Sequence, residues 1–316
     1  MTPAEAINLI EAATGPGDLF GADPARSYRR LARLTHPDAG NQDPRAERAF
    51  ARLADLWRRY RDRDDRVPVA RGDLANLYRD PRGLLKVSRD PADNDLIERE
   101  ARALARIAAR GDRRLAAYFP ELITSVRVPG SSPGAAHHGH VIAALDGFVT
   151  LARVRAAFPG GVHPADAAWM WRRLLVAIGG AHRAGVIHGA VLPEHVMIHP
   201  AEHGLVLIDW CYSGAGPEHR VPAIVARYRD SYPPEILAGR PAGPDADIWL
   251  ATTCMNSLIG GQMPAPLAAF ARGCLLASPR SRPDDAWRLL AELDEILARL
   301  FGPRRFRPFT MPARGA

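Results

Sequence analysis

A change of hydrophobic period near residues 64–70 constrains the fold of this chain more than any other sequence feature. Before it, apolar residues recur at helical spacing; after it, short strand-like runs alternate with helical ones. One period cannot serve both kinds of element, so the chain divides into a helical segment, 1–63, and a mixed α+β remainder. The stretch 64–70 (Asp-Asp-Arg-Val-Pro-Val-Ala) reads as a short linker. A first helix is expected over about 3–13, with Ile7 and Ile10 inward. Asp23-Pro24 supplies an N-cap and a first-turn proline, so a second helix starts there. Its apolar face is Ala25, Tyr28, Leu31 and Ala32. Arg26, Arg29, Arg30 and Arg33 form a basic stripe on another face. The helix stops at His36-Pro37, because the residue before proline is pushed out of the helical region. A loop begins at Asp38, and a third helix is expected from about Pro44 to Arg63.

Composition removes several classes. With 47% hydrophobic and 24% charged residues, 316 residues can build one large core or two smaller ones, which excludes a disordered or fibrous chain. No apolar run approaches the ~18 residues of a membrane span, so no membrane partner is expected. The first residues lack the basic and apolar regions of a signal peptide. Cys211, Cys254 and Cys274 are odd in number and widely spaced, which disfavours a disulfide framework or zinc site and fits a reducing, cytoplasmic setting. The net charge of +7 is uneven: the last thirteen residues hold four arginines and no acid. The rest is nearly balanced, so nucleic acid is not an expected partner except through 304–316.

The segment YRRLARLTHPDAGNQDPRAERAFARLADLWRRY, within residues 3–63, resembles a DnaJ-type J domain. The resemblance implies that His36, Pro37 and Asp38, with the basic face of Arg26, Arg29, Arg30 and Arg33, contact a DnaK-type chaperone and stimulate its ATPase. A basic helix is suited to an acidic partner surface. The plainer reading is a helical hairpin with a solvated arginine face.

Beyond the linker, Leu74–Tyr78 and Gly83–Val87 read as strands around an Arg-Asp-Pro-Arg turn. A helix over about 95–110 carries Glu100 in the middle of an apolar face, an expensive place for a charge without a partner. Strands follow at about 122–128 and 140–145, and from about 165 to 301 the pattern is mainly helical.

Five stretches in order resemble a protein kinase domain over 71–302, with a β-rich N-lobe (71–145) and a helical C-lobe (146–302). They are Ala181 to Ile198 at the catalytic loop, Leu205 to Cys211 at the DFG strand, Pro233-Pro234-Glu235 at the APE position, Asp247-Ile248-Trp249, and Cys274 to Pro283. The resemblance implies a structural Glu235–Arg282 pair, structural roles for His188 and Asp247, and ATP and Mg²⁺ as candidate cofactors held by Lys86, Glu100 and Asp209, with Asp209 on the metal. The catalytic loop departs from the family pattern. Ala190 stands at the aspartate position, Gly189 at the arginine, Leu192 at the lysine and His195 at the metal-binding asparagine. A methyl group accepts no proton, and imidazole is a poor ligand for hard Mg²⁺. The glycine-rich loop, Arg71 to Tyr78, keeps one glycine. The domain therefore resembles a pseudokinase, with no catalytic residue expected in the degenerate loop.

Lys86 is the single lysine among 42 basic residues, at the place where the fold uses lysine rather than arginine. Two readings stand beside each other: residual nucleotide or phosphate binding, and a buried structural Lys86–Glu100 pair. His137-His138-Gly139-His140 reads as a solvated loop rather than a metal site, and Cys211 as a buried thiol. The segment 303–316 is a basic, aromatic, non-helical tail, either disordered or packed back through Phe306 and Phe309. Together these imply a co-chaperone: the J domain recruits a DnaK-type ATPase, and the kinase-like half docks an unidentified client or senses nucleotide. The alternative is an atypical ATP-dependent serine/threonine phosphotransferase using Lys86, Glu100 and Asp209.

Overall fold

The computed structural model describes residues 1–20, 24–36, 43–61, 68–129 and 136–312. The architecture is mixed α+β and 53% helical, consistent with a kinase-like fold. The chain divides into two compact units, Met1–Val67 with Pro129–Ala136, and Pro68–Val128 with His137–Ala316. No helix among the described residues is long and apolar enough to cross a membrane.

The first unit is built on α1 (Pro3–Ala12), α2 (Pro24–Thr35) and α3 (Ala46–Arg61). Helix α1 starts on a reciprocal cap: Thr2 Oγ1 accepts from the Glu5 amide, and the Glu5 carboxylate accepts from the Thr2 amide at 2.7 Å. Ile7 and Ile10 are buried against Leu31, Leu53 and Leu56, each contributing roughly 1.5–3 kcal/mol by burial. Trp57 stacks on Tyr28 at 4.6 Å between ring centroids and meets Phe20 edge-on, which ties α3 to α2 and to the segment that joins α1 to α2. Arg52 donates to the carbonyls of Ile10 and Ala13, closing the C-terminal end of α1. The expected cap at Asp23 lies outside the described residues.

The second unit opens with a five-stranded antiparallel sheet, β1 (Ala70–Arg71), β2 (Ala75–Asp80), β3 (Gly83–Ser88), β4 (Leu122–Pro129) and β5 (Ala136–Ile142), in the order β1-β2-β3-β5-β4. Its first strand begins inside the stretch read as linker. Helix α4 (Asn94–Arg110) lies between β3 and β4 in sequence and buries Leu96, Ile97, Glu100, Leu104 and Ile107. A second sheet joins β6 (Val149–Thr150), β7 (Val196–His199) and β8 (Gly204–Leu207). The remainder is helical: α5 (Leu151–Ala157), α6 (Pro164–Arg183), α7 (Pro234–Leu237), α8 (Pro244–Ile259), α9 (Ala265–Cys274) and α10 (Ala286–Phe301). Helices α6 and α8 form the centre of this core, where Trp171, Leu174, Ile178, Ile248 and Met255 are buried.

Two local expectations are corrected. The run from His137 to His140 is not a solvated loop; it is the first half of β5, and His140 is buried. Pairing with β3 and the Asn94 Oδ1 bond to the His138 amide, at 2.8 Å, order it. The strand expected at 140–145 ends at Ile142. The tail from Gly302 is non-helical and packs back: Phe309 is buried against Phe158 and Trp169, and Phe306 stacks on His203 although 65% exposed.

Candidate functional site

Strand β3 places Lys86 in the sheet with His140 directly across on β5. Helix α4 packs beside them and presents Glu100 from its apolar face. Lys86 Nζ donates to Glu100 Oε2 at 2.7 Å and to Asp209 Oδ1 at 2.7 Å, and lies 3.4 Å from Cys211 Sγ. His140 Nε2 is 2.9 Å from Glu100 Oε2, and Glu100 Oε1 accepts from the Trp210 amide at 3.1 Å. The charge in the apolar face of α4 is thus surrounded by donors, which answers its desolvation cost.

Asp209 follows β8 with φ 65° and ψ 61°, in the left-handed region. This conformation is uncommon for a residue other than glycine and aims the carboxylate at the sheet. Its Oδ1 takes the lysine bond, and its Oδ2 lies 3.2 Å from His195 Nε2. The other nitrogen of His195 is 2.7 Å from the Ala190 carbonyl. Lys86, Glu100, Asp209 and His195 therefore form one cluster.

Charge stays on this cluster. Burial works against the Lys86 ammonium, but the Asp209 and Glu100 carboxylates outweigh it and hold its pKa well above the ordinary value. Burial raises Glu100, but Lys86 and His140 pull it well below the usual carboxylate range. Asp209 is likewise lowered, burial being overcome by Lys86 and His195. Burial, then the Glu100 charge, pushes the Cys211 thiol well up, so it remains protonated.

Glu100, Asp209 and Cys211 bring metal-type donor atoms within 4.8 Å of one another. The Lys86 ammonium contacts all three, and it already supplies their cation. A protonated thiol is a poor partner for a hard ion, and Mg²⁺ demands an octahedral set of oxygens. Both Asp209 oxygens are engaged by nitrogen groups. The residues in this arrangement do not fit Mg²⁺.

The loop before β7 is closed around its backbone. Ala190 and Leu192 are fully buried. Gly189 has φ 76°, and a Cβ there would stand 2.8 Å from the Tyr212 carbonyl oxygen, so the side chain absent from this position has no room. Asp247 accepts from the amides of His188 and Gly189, both at 2.8 Å, and lies 2.9 Å from His182 Nε2. His188 Nε2 donates to the Ile208 carbonyl at 3.0 Å, and its Nδ1 accepts from the Ala190 amide at 3.2 Å. Burial pushes its pKa down to about 4. Arg282 forks onto Glu235 through two bonds of 2.7 Å, reaches Asp245 at 3.1 Å and sits over the Trp249 ring. The one-glycine turn at 72–74 is tied to this region: Tyr212 Oη donates to Asp73 Oδ2 at 2.6 Å, and the Tyr212 ring stacks on His195.

In the first unit, Arg26, Arg29, Arg30 and Arg33 are exposed on α2. His36 follows the helix, its ring 5.0 Å from that of Phe50. Pro37 and Asp38 lie outside the described residues. The basic helix and the Lys86 cluster belong to different units.

Sequence reasoning missed His140 and the Tyr212–Asp73 bond. A signal for the first was present: His138 and His140 alternate at strand period, and the structure sets them against Glu98, at 2.8 Å, and Glu100.

Comparison with known proteins gives a distant kinase similarity. Over 105 residues the chain is 22% identical to the SNF1-related protein kinase catalytic subunit alpha KIN12 of Arabidopsis thaliana. The match covers 33% of this chain, and the chain spans about a fifth of that relative's length (21%). No family model matches the chain.

Proposed function

We propose that this chain is a two-part adaptor: a kinase-like unit that no longer transfers phosphate, joined to a DnaJ-type helical unit that recruits a DnaK-type ATPase. The observation that carries the first half is the occupancy of the Asp209 carboxylate by Lys86 and His195, beside a fully buried Ala190 where a base would stand. Loss of a general base alone lowers a rate roughly 10²–10⁴-fold. In this reading the unit is a scaffold that docks a client protein, and Lys86 is chiefly a structural cation. The second half is supported by the exposed basic face of α2 and by the His36-Pro37-Asp38 sequence that follows it.

One observation favours a second reading, an ATP-dependent phosphotransferase of the serine/threonine kinase type. The Lys86–Glu100 pair at 2.7 Å, with Asp209 beside it, is an arrangement suited to a nucleotide phosphate, and the distant relative is named a protein kinase. Calorimetry with ATP, with and without Mg²⁺, on wild type and Lys86→Met separates the two. The adaptor reading expects no Mg²⁺-dependent ATP binding and no phosphotransfer. Saturable binding lost in Lys86→Met, with transfer to a protein substrate, would replace it. For the helical unit, the full chain is expected to accelerate a DnaK-type ATPase and His36→Gln to abolish the effect; equal stimulation by both proteins refutes that half.

A further inference from the structure

Away from the Lys86 cluster, a cavity of about 690 Å³ lies among α6, the β7–β8 turn, α10 and the tail after Gly302. That volume suits a ligand of nucleotide size. Two buried N–H donors on its lining, Trp169 Nε1 and Arg172 Nε, have no hydrogen-bond partner among the described residues. Buried donors without acceptors are costly and uncommon in native proteins, and here two share one cavity.

The charge on this lining is positive. Arg172 pairs with Asp294, and Arg307 pairs with Asp166 at 2.7 Å. Glu202 is the remaining acid of the lining, against Arg173, Arg304 and Arg305. Neither Arg304 nor Arg305 has a carboxylate partner among the described residues. Burial, then Arg304 and Arg173, lower the Arg172 guanidinium, the mark of like charges drawn together. An aromatic column runs beside the arginines: Trp169 stacks on His203 at 4.1 Å and His203 on Phe306 at 4.4 Å. His203 takes a left-handed φ of 56° in the turn between β7 and β8, which sets its ring in this column.

We propose that this cavity binds a phosphorylated, ring-bearing small molecule, its phosphate held by Arg172, Arg304 and Arg305 and its ring against the Trp169–His203–Phe306 column. Arginine forks match phosphate oxygens and stack on planar rings, so one set of side chains serves both parts. The site uses no residue of the Lys86 cluster, and its test is independent of the adaptor reading.

The experiment titrates the full chain with AMP, ribose 5-phosphate, inorganic phosphate and adenosine, followed by calorimetry and tryptophan fluorescence. The variant is the double substitution Arg304→Gln/Arg305→Gln. Both tail arginines are exposed, so the double variant should melt like wild type. AMP is expected to bind more tightly than ribose 5-phosphate or inorganic phosphate, and adenosine not at all. The double tail variant should weaken AMP binding about ten-fold or more. The proposal is overturned if no phosphate compound binds saturably, if adenosine matches AMP, or if the tail variant binds like wild type. It is also overturned if a single-stranded oligonucleotide binds where AMP does not, because the tail would then be a nucleic-acid surface.

Discussion

Replacing Lys86 by methionine keeps most of the side-chain volume and removes the ammonium from between Glu100 and Asp209, both 2.7 Å away. Breaking a buried ion pair by deleting one partner costs about 3–5 kcal/mol, because the remaining charge is left in a poor dielectric. His140 and His195 stay near the two carboxylates and offset part of that loss. Destabilisation of about 2–4 kcal/mol at pH 7 is therefore expected. Five of the six tryptophans lie in the second unit, so denaturant unfolding followed by tryptophan fluorescence reports on it. Hydrogen exchange at the Trp210 amide, which donates to Glu100, gives a local reading. The pH dependence carries a sign. In wild type, Glu100 is held below its unfolded pKa of 4.5, so its contribution is present above that value and is lost as pH falls. Without Lys86, burial dominates and raises Glu100, so the folded variant binds a proton more readily than its unfolded chain. The gap between wild type and Lys86→Met should therefore narrow from pH 7 toward pH 5. Adding Glu100→Gln should recover part of the stability. A cost under about 1 kcal/mol, or a gap that widens on acidification, would refute the account of Lys86 as the cation that this site requires.

Other expectations concern the second unit. His188 is held neutral near pKa 4 against 6.5 unfolded, so acidification from pH 7 to 4 should remove about 3 kcal/mol of stability that His188→Gln does not lose; parallel pH profiles of wild type and variant would contradict this. Arg282→Met leaves Glu235 and Asp245 without their shared cation and should cost about 3–5 kcal/mol, with Arg282→Lys intermediate because an ammonium lacks the fork; denaturation midpoints decide it. Ala190→Asp should destabilise by about 3 kcal/mol or more and confer no phosphotransfer, since it buries a carboxylate at a fully enclosed position; a stable, active variant would contradict the geometry.

Much of the local structure was legible because it follows from local rules. Ile7, Ile10 and Leu31 mark inward faces by their spacing, and proline after His36 stops α2. Glu100 announced a partner by standing in an apolar helix face. Lys86 drew attention by being the only one of its kind. The misreadings share one physical cause. The His137–His140 run looks polar and flanks a Gly/Ser/Pro stretch, but its order comes from pairing with β3 and from Asn94, about 44 residues upstream. Tyr212 and Asp73 are 139 positions apart and obey no periodicity that would join them. Apart from the alternation of His138 and His140, these nonlocal hydrogen bonds leave no pattern in the neighbouring sequence.

The isolation of Lys86 has a chemical consequence. Apart from the terminal amine, it is the chain's one primary amine, and its nitrogen is enclosed by Glu100, Asp209 and Cys211. Acylation of lysine, whether by reagents or by acetyl or ubiquitin transfer, has a single side-chain target in this chain, and it is charged and shielded from attack. One acyl adduct at position 86, read by mass, therefore counts each opening of the cluster without an introduced label.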